Sequence, residues 1–462
     1  MNTGSSIPSF RDESLGIAFN GAYVFEGADR SLLINENGYI ILLDNALLSQ
    51  LKQHCLNEEL AMLLIQHRFA SMDEVKLPIM QTDKSVHPVF FMIDLTNRCN
   101  MACRYCLRDG EDSLDANVTS AETIEKICQY IINYCRSYDE TKITIQPWGG
   151  EPLLEKERIF QIQDILQNSG IDPCITIETN GILLSESMIQ ELRQRNIWVS
   201  VSIDGPAAVH DTQRVFHNGS PTHSVVERNL IRLYEAYEGN ISVIATVTRE
   251  TYSRIDDIIC YLVKELHLQN IKINFVHKSS FVDNTDLCMT SEEIGFSALQ
   301  ILKTLIKLTK EDYTVSDYNI YTKLMNLLFN QRNDVCICDG CHGGRRMITF
   351  DYHGNVFPCD VTDYPEECLG NISTEPDLVS MVEKAIPQKS YFKEKKQPQC
   401  GSCPWYCYCR GGCTVHVKTQ GDEPPAVDEI ECAVNRTLYP ELVRLIISEP
   451  QTVNRLLKAE VL

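Results

Sequence analysis

Between about residue 90 and residue 276, strand-like apolar runs and helical patterns alternate one for one, and this limits the possible folds more than any other feature. The strand-like runs are Val89–Leu95, Lys142–Gln146, Cys174–Glu178, Trp198–Ile203, Ile241–Val247 and Ile271–Val276. Helical patterns lie between them at Ser120–Tyr138, Glu155–Asn168, Ser185–Arg195, Ser224–Tyr237 and Tyr252–Leu266. Strand, crossover helix and strand join as parallel neighbours through right-handed connections. Six units are too few for a closed eight-fold barrel, so the reading is an α/β fold built on a partial barrel. In such sheets ligands gather beyond the C-terminal ends of the strands. The segments directly after the runs are therefore where chemistry is expected.

The flanks read differently. Residues 1–85 form a small α+β module: strand-like Tyr23–Phe25, Ser31–Ile34 and Tyr39–Leu43 precede helical Asn45–Cys55 and Asn57–Ala70. The run Asn35-Glu36-Asn37-Gly38 is a hairpin signal, and Thr82–Pro88 looks like a linker. The barrel unit occupies 86–285. A helical bridge at 286–335 carries the patterns Ser291–Lys310 and Val315–Asn330. A cysteine-rich segment at 336–435 has little regular periodicity and is expected to be organised by metal. Residues 436–462 hold a last helical stretch, about Leu438–Lys458.

The chain has 20 cysteines in 462 residues, and 14 of them fall at 99–106 and 336–432. Its first residues lack the basic segment and apolar run of a secretory signal, so a cytoplasmic chain using thiols as metal ligands is expected rather than a disulfide scaffold. No run approaches the roughly 20 apolar residues that span a bilayer. A net charge of −21 argues against general nucleic-acid binding, which relies on Lys and Arg. Neither membrane nor nucleic acid is expected as a partner.

Directly after the first run, Cys99, Cys103 and Cys106 are spaced C-x3-C-x2-C. Three thiolates are one fewer than a closed [4Fe–4S] site uses, which leaves one iron open; zinc would want a fourth ligand. The second run ends in Trp148-Gly149-Gly150-Glu151-Pro152. Adjacent glycines let backbone groups approach a ligand, and Glu151 can accept from an ammonium. Alone, this motif would read as an ordinary turn.

Taken together the motifs resemble the radical S-adenosylmethionine (SAM) superfamily. The C-x3-C-x2-C loop with Tyr105, the Gly-Gly-Glu-Pro run, Glu178-Thr179-Asn180-Gly181 and Ser202-Ile203-Asp204-Gly205 match in order and spacing over about residues 89–280. The resemblance implies a partial (β/α)6 barrel in which SAM chelates the open iron through its methionyl amine and carboxylate. It further implies a 5′-deoxyadenosyl radical that abstracts a substrate hydrogen. Tyr105, Gly149, Gly150, Glu151, Pro152, Ser202, Asp204 and Arg214 are then the expected cofactor-binding residues. Arg214 would pair with the SAM carboxylate.

Towards the C-terminus, Cys341-x12-Gly354-x4-Cys359, Cys400-x2-Cys403-x5-Cys409-x3-Cys413 and Cys432 resemble the seven-cysteine SPASM domain. That implies two auxiliary [4Fe–4S] clusters, three in total. One would use Cys341, Cys359 and Cys413 with Cys336 or Cys338; the other, Cys400, Cys403, Cys409 and Cys432. The remaining cysteines, among them Cys55, Cys174 and Cys407, are expected to be mostly buried apolar residues. Asp360 matches the proposed proton acceptor of sulfatase-maturing enzymes. The function implied first is maturation of a ribosomally made precursor peptide by a side-chain cross-link, thioether or carbon–carbon. An electron donor such as flavodoxin or ferredoxin would serve it. Formylglycine formation on a sulfatase is the alternative, and a non-catalytic iron–sulfur carrier or scaffold is a third reading.

Overall fold

The computed structural model describes residues 5–72, 87–107, 117–278, 283–331, 334, 336, 340–360, 365–389, 400–419 and 427–462. Six central strands are β1 (Phe90–Thr96), β2 (Lys142–Gly149), β3 (Asp172–Thr179), β4 (Trp198–Ser202), β5 (Ser242–Val247) and β6 (Asn270–Phe275). They pair in chain order and all are parallel. This is the sheet expected of repeated strand–helix units. A short β7 (Ser316–Asp317) joins β6, and β8 (Met347–Phe350) lies parallel to β1. From β8 the sheet continues antiparallel through β9 (Asn355–Phe357) and β10 (Gly370–Asn371). Among the described residues the two outermost strands do not pair, so the barrel is open.

The cysteine-rich segment is thus organised by more than metal: part of it extends the barrel sheet beside β1. Its strands are only two to four residues long, too short for a period to register.

Barrel helices form close to their predicted limits because the sequence signals their starts. Ser120 accepts from Thr123 N at 3.0 Å ahead of Ala121–Ser137, and Ser185 from Met188 N at 3.2 Å ahead of Glu186–Gln194. Thr290 and Glu293 make a reciprocal capping box on Ser291–Lys310. The pattern Tyr252–Leu266 instead breaks into a 3-10 turn, an α-helix Ile255–Cys260 and a π-turn. A short helix Ala207–Gln213 was not anticipated; it is too brief to show a stripe.

Each strand sorts its side chains by the two-residue period. On β3, Ile175 and Ile177 are buried in the core shared with Ile159 and Ile162, while Thr176 and Glu178 face the other way, into the lumen. Lys272 on β6 alternates likewise with buried Ile271 and Ile273. β3 and β6 thus turn polar side chains to the lumen.

In the N-terminal module Ser5–Ile7, Ala22–Glu26, Arg30–Ile34 and Ile40–Asp44 form an antiparallel sheet. The hairpin at 35–38 closes with Gly38 N donating to Asn35 O at 3.0 Å, and Gly38 takes φ +79°. A second small sheet of Phe10–Asp12, Ile17–Phe19 and Ala70–Ser71 was not anticipated. One face of the larger sheet packs within the module, through Val24, Leu33, Ile41 and Leu43. The other turns to the cysteine-rich segment. There Phe25 stacks on Trp405 at 5.1 Å, and Tyr408 Oη donates to Gly38 O at 2.9 Å. Residues 82–86 of the expected linker lie outside the described residues.

The final helical stretch begins at Glu429 rather than Leu438, running to Ser448 before a second helix, Pro450–Leu457. It crosses the boundary expected at 435/436 and carries Cys432. Its cap explains the early start: Asp428 accepts from Ile430 N and Glu431 N at 3.1 Å. No described helix is long and apolar enough to cross a membrane.

Candidate active site

The loop after β1 lies over the C-terminal end of the sheet and is pinned on two sides. On the β2 side, Gly150 N donates to Thr96 O and Glu151 N to Arg98 O, each at 2.8 Å. On the other, Ala102 N donates to Val215 O at 2.8 Å and Arg104 N to Gln213 O at 2.9 Å. The loop brings Cys99, Cys103 and Cys106 close enough for their charges to act on one another. Burial pushes the Cys99 thiol up to about 12 and the Cys103 thiol to about 11, with the Arg214 guanidinium opposing the rise at Cys103. Thiols this reluctant to ionise become thiolate ligands when a metal displaces the proton. Asn180 Nδ2 lies 3.8 Å from Cys99 Sγ, and Arg214 Nη1 lies 4.0 Å from Cys103 Sγ.

Gly149 and Gly150 are where a side chain cannot fit. A Cβ on Gly149 would lie 2.0 Å from Thr96 O, and one on Gly150 would lie 2.2 Å from Arg98 O. Gly149 also takes φ +132°. The glycines let the β2 turn press against the cysteine loop, a backbone-lined cradle beside three thiols. That donor set and cradle fit a four-iron cluster with one iron open to a small ligand.

Two expected cofactor contacts are placed otherwise. Glu151, expected to meet an ammonium, is 1% exposed and accepts three hydrogen bonds from the chain itself. It accepts from Thr179 Oγ1 at 2.8 Å, Leu153 N at 3.0 Å and Asn180 N at 2.9 Å. It ties the β2 turn to the end of β3, with Pro152 buried behind it. Asp204 is completely buried. Its Oδ2 accepts from Tyr105 Oη, Gln213 Nε2 and Arg214 Nε, each at 2.8 Å, and its Oδ1 from Thr246 N at 2.9 Å. Both carboxylates face donors of the chain itself. Ser202 does end β4 on the lumen side, half-buried. The pairing with Asp204 holds Arg214 charged despite burial, which opposes it.

Sequence reasoning missed the network behind Asp204. His210 Nδ1 accepts from Asp204 N at 3.3 Å, and its Nε2 lies 3.0 Å from Thr222 Oγ1, which donates to Arg214 O at 2.7 Å. The signal is the run His210-Asp211-Thr212-Gln213-Arg214, in which the family resemblance singles out Arg214 alone. The lumen residues were also missed, although strand alternation marks them. Burial raises the Glu178 carboxyl; Lys272 opposes this, Asp360 adds to it, and Gln146 hydrogen-bonds to it. Asp360 is thus near enough for its charge to act on Glu178.

The C-terminal thiols gather in two groups. Cys336 feels the charges of Cys413, Cys341 and Cys359, and burial drives its thiol up although the residue as a whole is exposed. Cys338 lies outside the described residues. In the second group Cys400 and Cys403 act on Cys409, and Cys403 acts on Cys432. Among the described residues no three His, Cys, Asp or Glu side chains are spaced for a single metal ion; a four-iron cage holds its thiolates further apart. The cysteines outside the pattern are less buried than expected. Cys128, Cys135 and Cys407 are buried, whereas Cys55 and Cys174 are exposed and Cys260, Cys288 and Cys368 are intermediate. Cys174 lies on the same side of β3 as Thr176 and Glu178 but towards the strand's N-terminal end, where it is exposed.

Two family models match this chain: the radical SAM superfamily over residues 93–262 and the SPASM iron–sulfur cluster-binding domain over 341–408. A cysteine-type anaerobic sulfatase-maturating enzyme of Clostridium perfringens is 24% identical over 68% of this chain and 85% of its own length. The mycofactocin maturase MftC of Mycobacterium tuberculosis is 22% identical over 71% of this chain and 78% of its own. Among solved structures, anSMEcpe with bound AdoMet and Cp18Cys peptide superposes with a TM-score of 0.68 at 19% identity, covering 79% of this chain and 98% of that one. SuiB of Streptococcus suis bound to precursor peptide SuiA gives 0.53 at 14% identity, covering 86% and 95%. These likenesses extend to the fold.

Proposed function

The chain belongs to the radical SAM superfamily and bears a SPASM domain; as an enzyme of that family, we propose, it matures a ribosomally made peptide by joining a side chain to a carbon centre. The observation that carries this reading is the N-terminal module. It folds as two small sheets with helices, its larger sheet has edge strands, and one face of that sheet docks beside the Cys400 group. An edge strand can add a peptide strand through backbone hydrogen bonds. Holding a leader there raises the effective concentration of the attached core peptide at the lumen.

Cys99, Cys103 and Cys106 would hold the catalytic cluster. The auxiliary clusters would be held by Cys336, Cys341, Cys359 and Cys413, and by Cys400, Cys403, Cys409 and Cys432. When bound, the reduced cluster and SAM supply a primary radical that takes one hydrogen atom from the substrate. The chain's own part is to exclude water and aim one C–H bond. Gly149, Gly150, Ser202 and Arg214 would hold SAM against the cysteine loop. Gln146, Glu178 and Lys272 line the lumen as hydrogen-bonding and charged groups for the target side chain. Asp360 is the candidate acceptor for the proton released when the new bond forms. Electrons would come from a flavodoxin or ferredoxin.

Formylglycine formation remains the second reading, favoured by the similarity to sulfatase-maturating enzymes. The test is coexpression with a short Cys-rich or repeat-containing peptide encoded by a neighbouring gene. Peptide maturation predicts loss of two hydrogens and a tandem mass spectrum in which two residues stay joined. An aldehyde trapped by hydrazide, on a sulfatase peptide only, would replace this reading with the second.

A further inference from the structure

One buried carboxylate joins the two halves of the site. Asp204 lies just past the end of β4, is completely buried, and has all its accepting capacity spent on the chain. Its partners are not scattered. Tyr105 belongs to the cysteine loop, between Cys103 and Cys106. Arg214 and Gln213 belong to the segment that accepts that loop's backbone N–H groups. Thr246 belongs to β5.

The Arg214 guanidinium uses its Nε edge on Asp204, and the same group lies over the Tyr105 ring at 5.1 Å. Nη1, on the other side, reaches towards Cys103 Sγ. Nη1 is therefore held towards Cys103 because the Nε edge is anchored behind. Gln213 is fixed in turn, donating to Thr246 O at 3.0 Å and accepting from Thr248 Oγ1 at 3.0 Å. A guanidinium on a long, flexible stem needs such an anchor, since each free rotamer would cost binding free energy when a ligand arrives.

We propose that Asp204 is a positioning residue for SAM binding, acting without touching the cofactor by locking Arg214 and Tyr105 in the orientation that receives the SAM carboxylate. This rests on the reading above that SAM is the ligand of the cysteine loop. An Asp204→Asn change keeps the volume and the acceptor for Thr246 N. It removes the charge and sets an amide N–H₂ against the donors of Gln213 and Arg214.

The test is SAM affinity of the reconstituted full chain, followed by the change that SAM causes in the electron paramagnetic resonance spectrum of the reduced cluster. Wild type that neither binds SAM nor shows the change would remove the underlying reading, whatever the variant does. Given a responsive wild type, D204N should retain its iron but bind SAM about tenfold more weakly. The defect should also be non-additive: in an R214Q background, D204N should cost less than about twofold more, because both act through one guanidinium. Asp317→Asn is the control. That carboxylate, in the edge strand β7, is also deeply buried and accepts from Ile273 N at 2.9 Å and Ile320 N at 3.0 Å. It should lower thermal stability and leave SAM affinity unchanged. Should D204N fail to hold iron, Tyr105→Phe carries the test, removing one donor to Oδ2 while the Arg214 pair stays; a shifted SAM-bound spectrum supports the proposal. Wild-type affinity and spectrum in D204N, or in Y105F where that variant is used, would overturn it, as would additive losses with R214Q.

Discussion

Replacing Gly150 by alanine isolates the contact between the β2 turn and the cysteine loop. Unlike Gly149, Gly150 has no positive φ, so alanine meets no backbone strain there and the collision is the whole effect. The new Cβ would lie 2.2 Å from Arg98 O, 2.6 Å from Arg98 C and 2.8 Å from Asn97 O. All three are backbone atoms, so no side chain can swing away. Restoring ordinary contact needs about 1 Å of separation, which breaks the Glu151 N to Arg98 O bond. Overpacking of this kind costs about 1–3 kcal/mol, and the lost hydrogen bond about 1 kcal/mol more. At roughly 2–4 °C per kcal/mol, the melting temperature should fall on the order of 10 °C. Because the displaced atoms carry Cys99 with them, reductive SAM cleavage should fall about tenfold or more at full iron content. Differential scanning calorimetry and a 5′-deoxyadenosine assay read the two effects. An alanine variant with unchanged melting and unchanged cleavage would refute the argument that these glycines exist to let the two segments touch.

Three further outcomes follow from particular contacts. Burial depresses His210 to about 4 from an ordinary 6.5, so the folded state binds fewer protons and stability falls as pH drops from 6.5 to 4, by about 3 kcal/mol in all; urea unfolding at stepped pH should show this slope, and His210→Asn should flatten it. Glu178→Gln should leave uncoupled SAM cleavage within about twofold while peptide turnover falls about tenfold; equal turnover would remove Glu178 from the substrate site. Deleting residues 1–85 should lower iron held by the Cys400 group, because Phe25 and the Gly38 carbonyl cover Trp405 and Tyr408, and iron analysis showing no loss would make the module an independent appendage.

Much of the fold was legible because it is written in period and punctuation. The six parallel strands show as apolar runs, and Ser120, Ser185 and Thr290 mark helix starts where their caps form. What was not legible falls below the length at which a period can be seen. The strands from Met347 to Asn371 and the helix Ala207–Gln213 are examples. The site divides in the same way. Spacing located the thiols and the paired glycines. It does not show which donors of the chain a buried carboxylate meets, as at Glu151 and Asp204. Those donors belong to residues such as Thr179, Gln213 and Thr246, which come from other strands and loops. Glu178 stands in a sequence motif and Lys272 in an apolar run, but neither position says that its side chain faces the lumen; only the curl of the open sheet turns those alternate positions inward.

The central claim is that the loop of Cys99, Cys103 and Cys106 carries radical chemistry distinct from the C-terminal clusters. The direct measurement is 5′-deoxyadenosine formed from SAM by anaerobically reconstituted, chemically reduced protein, with Cys99→Ala, Cys103→Ala and Cys106→Ala combined as the comparison. Wild type should hold about twelve irons and form the product, whereas the triple variant should keep about eight and form none. Product from the triple variant, or none from fully loaded wild type, would contradict the account.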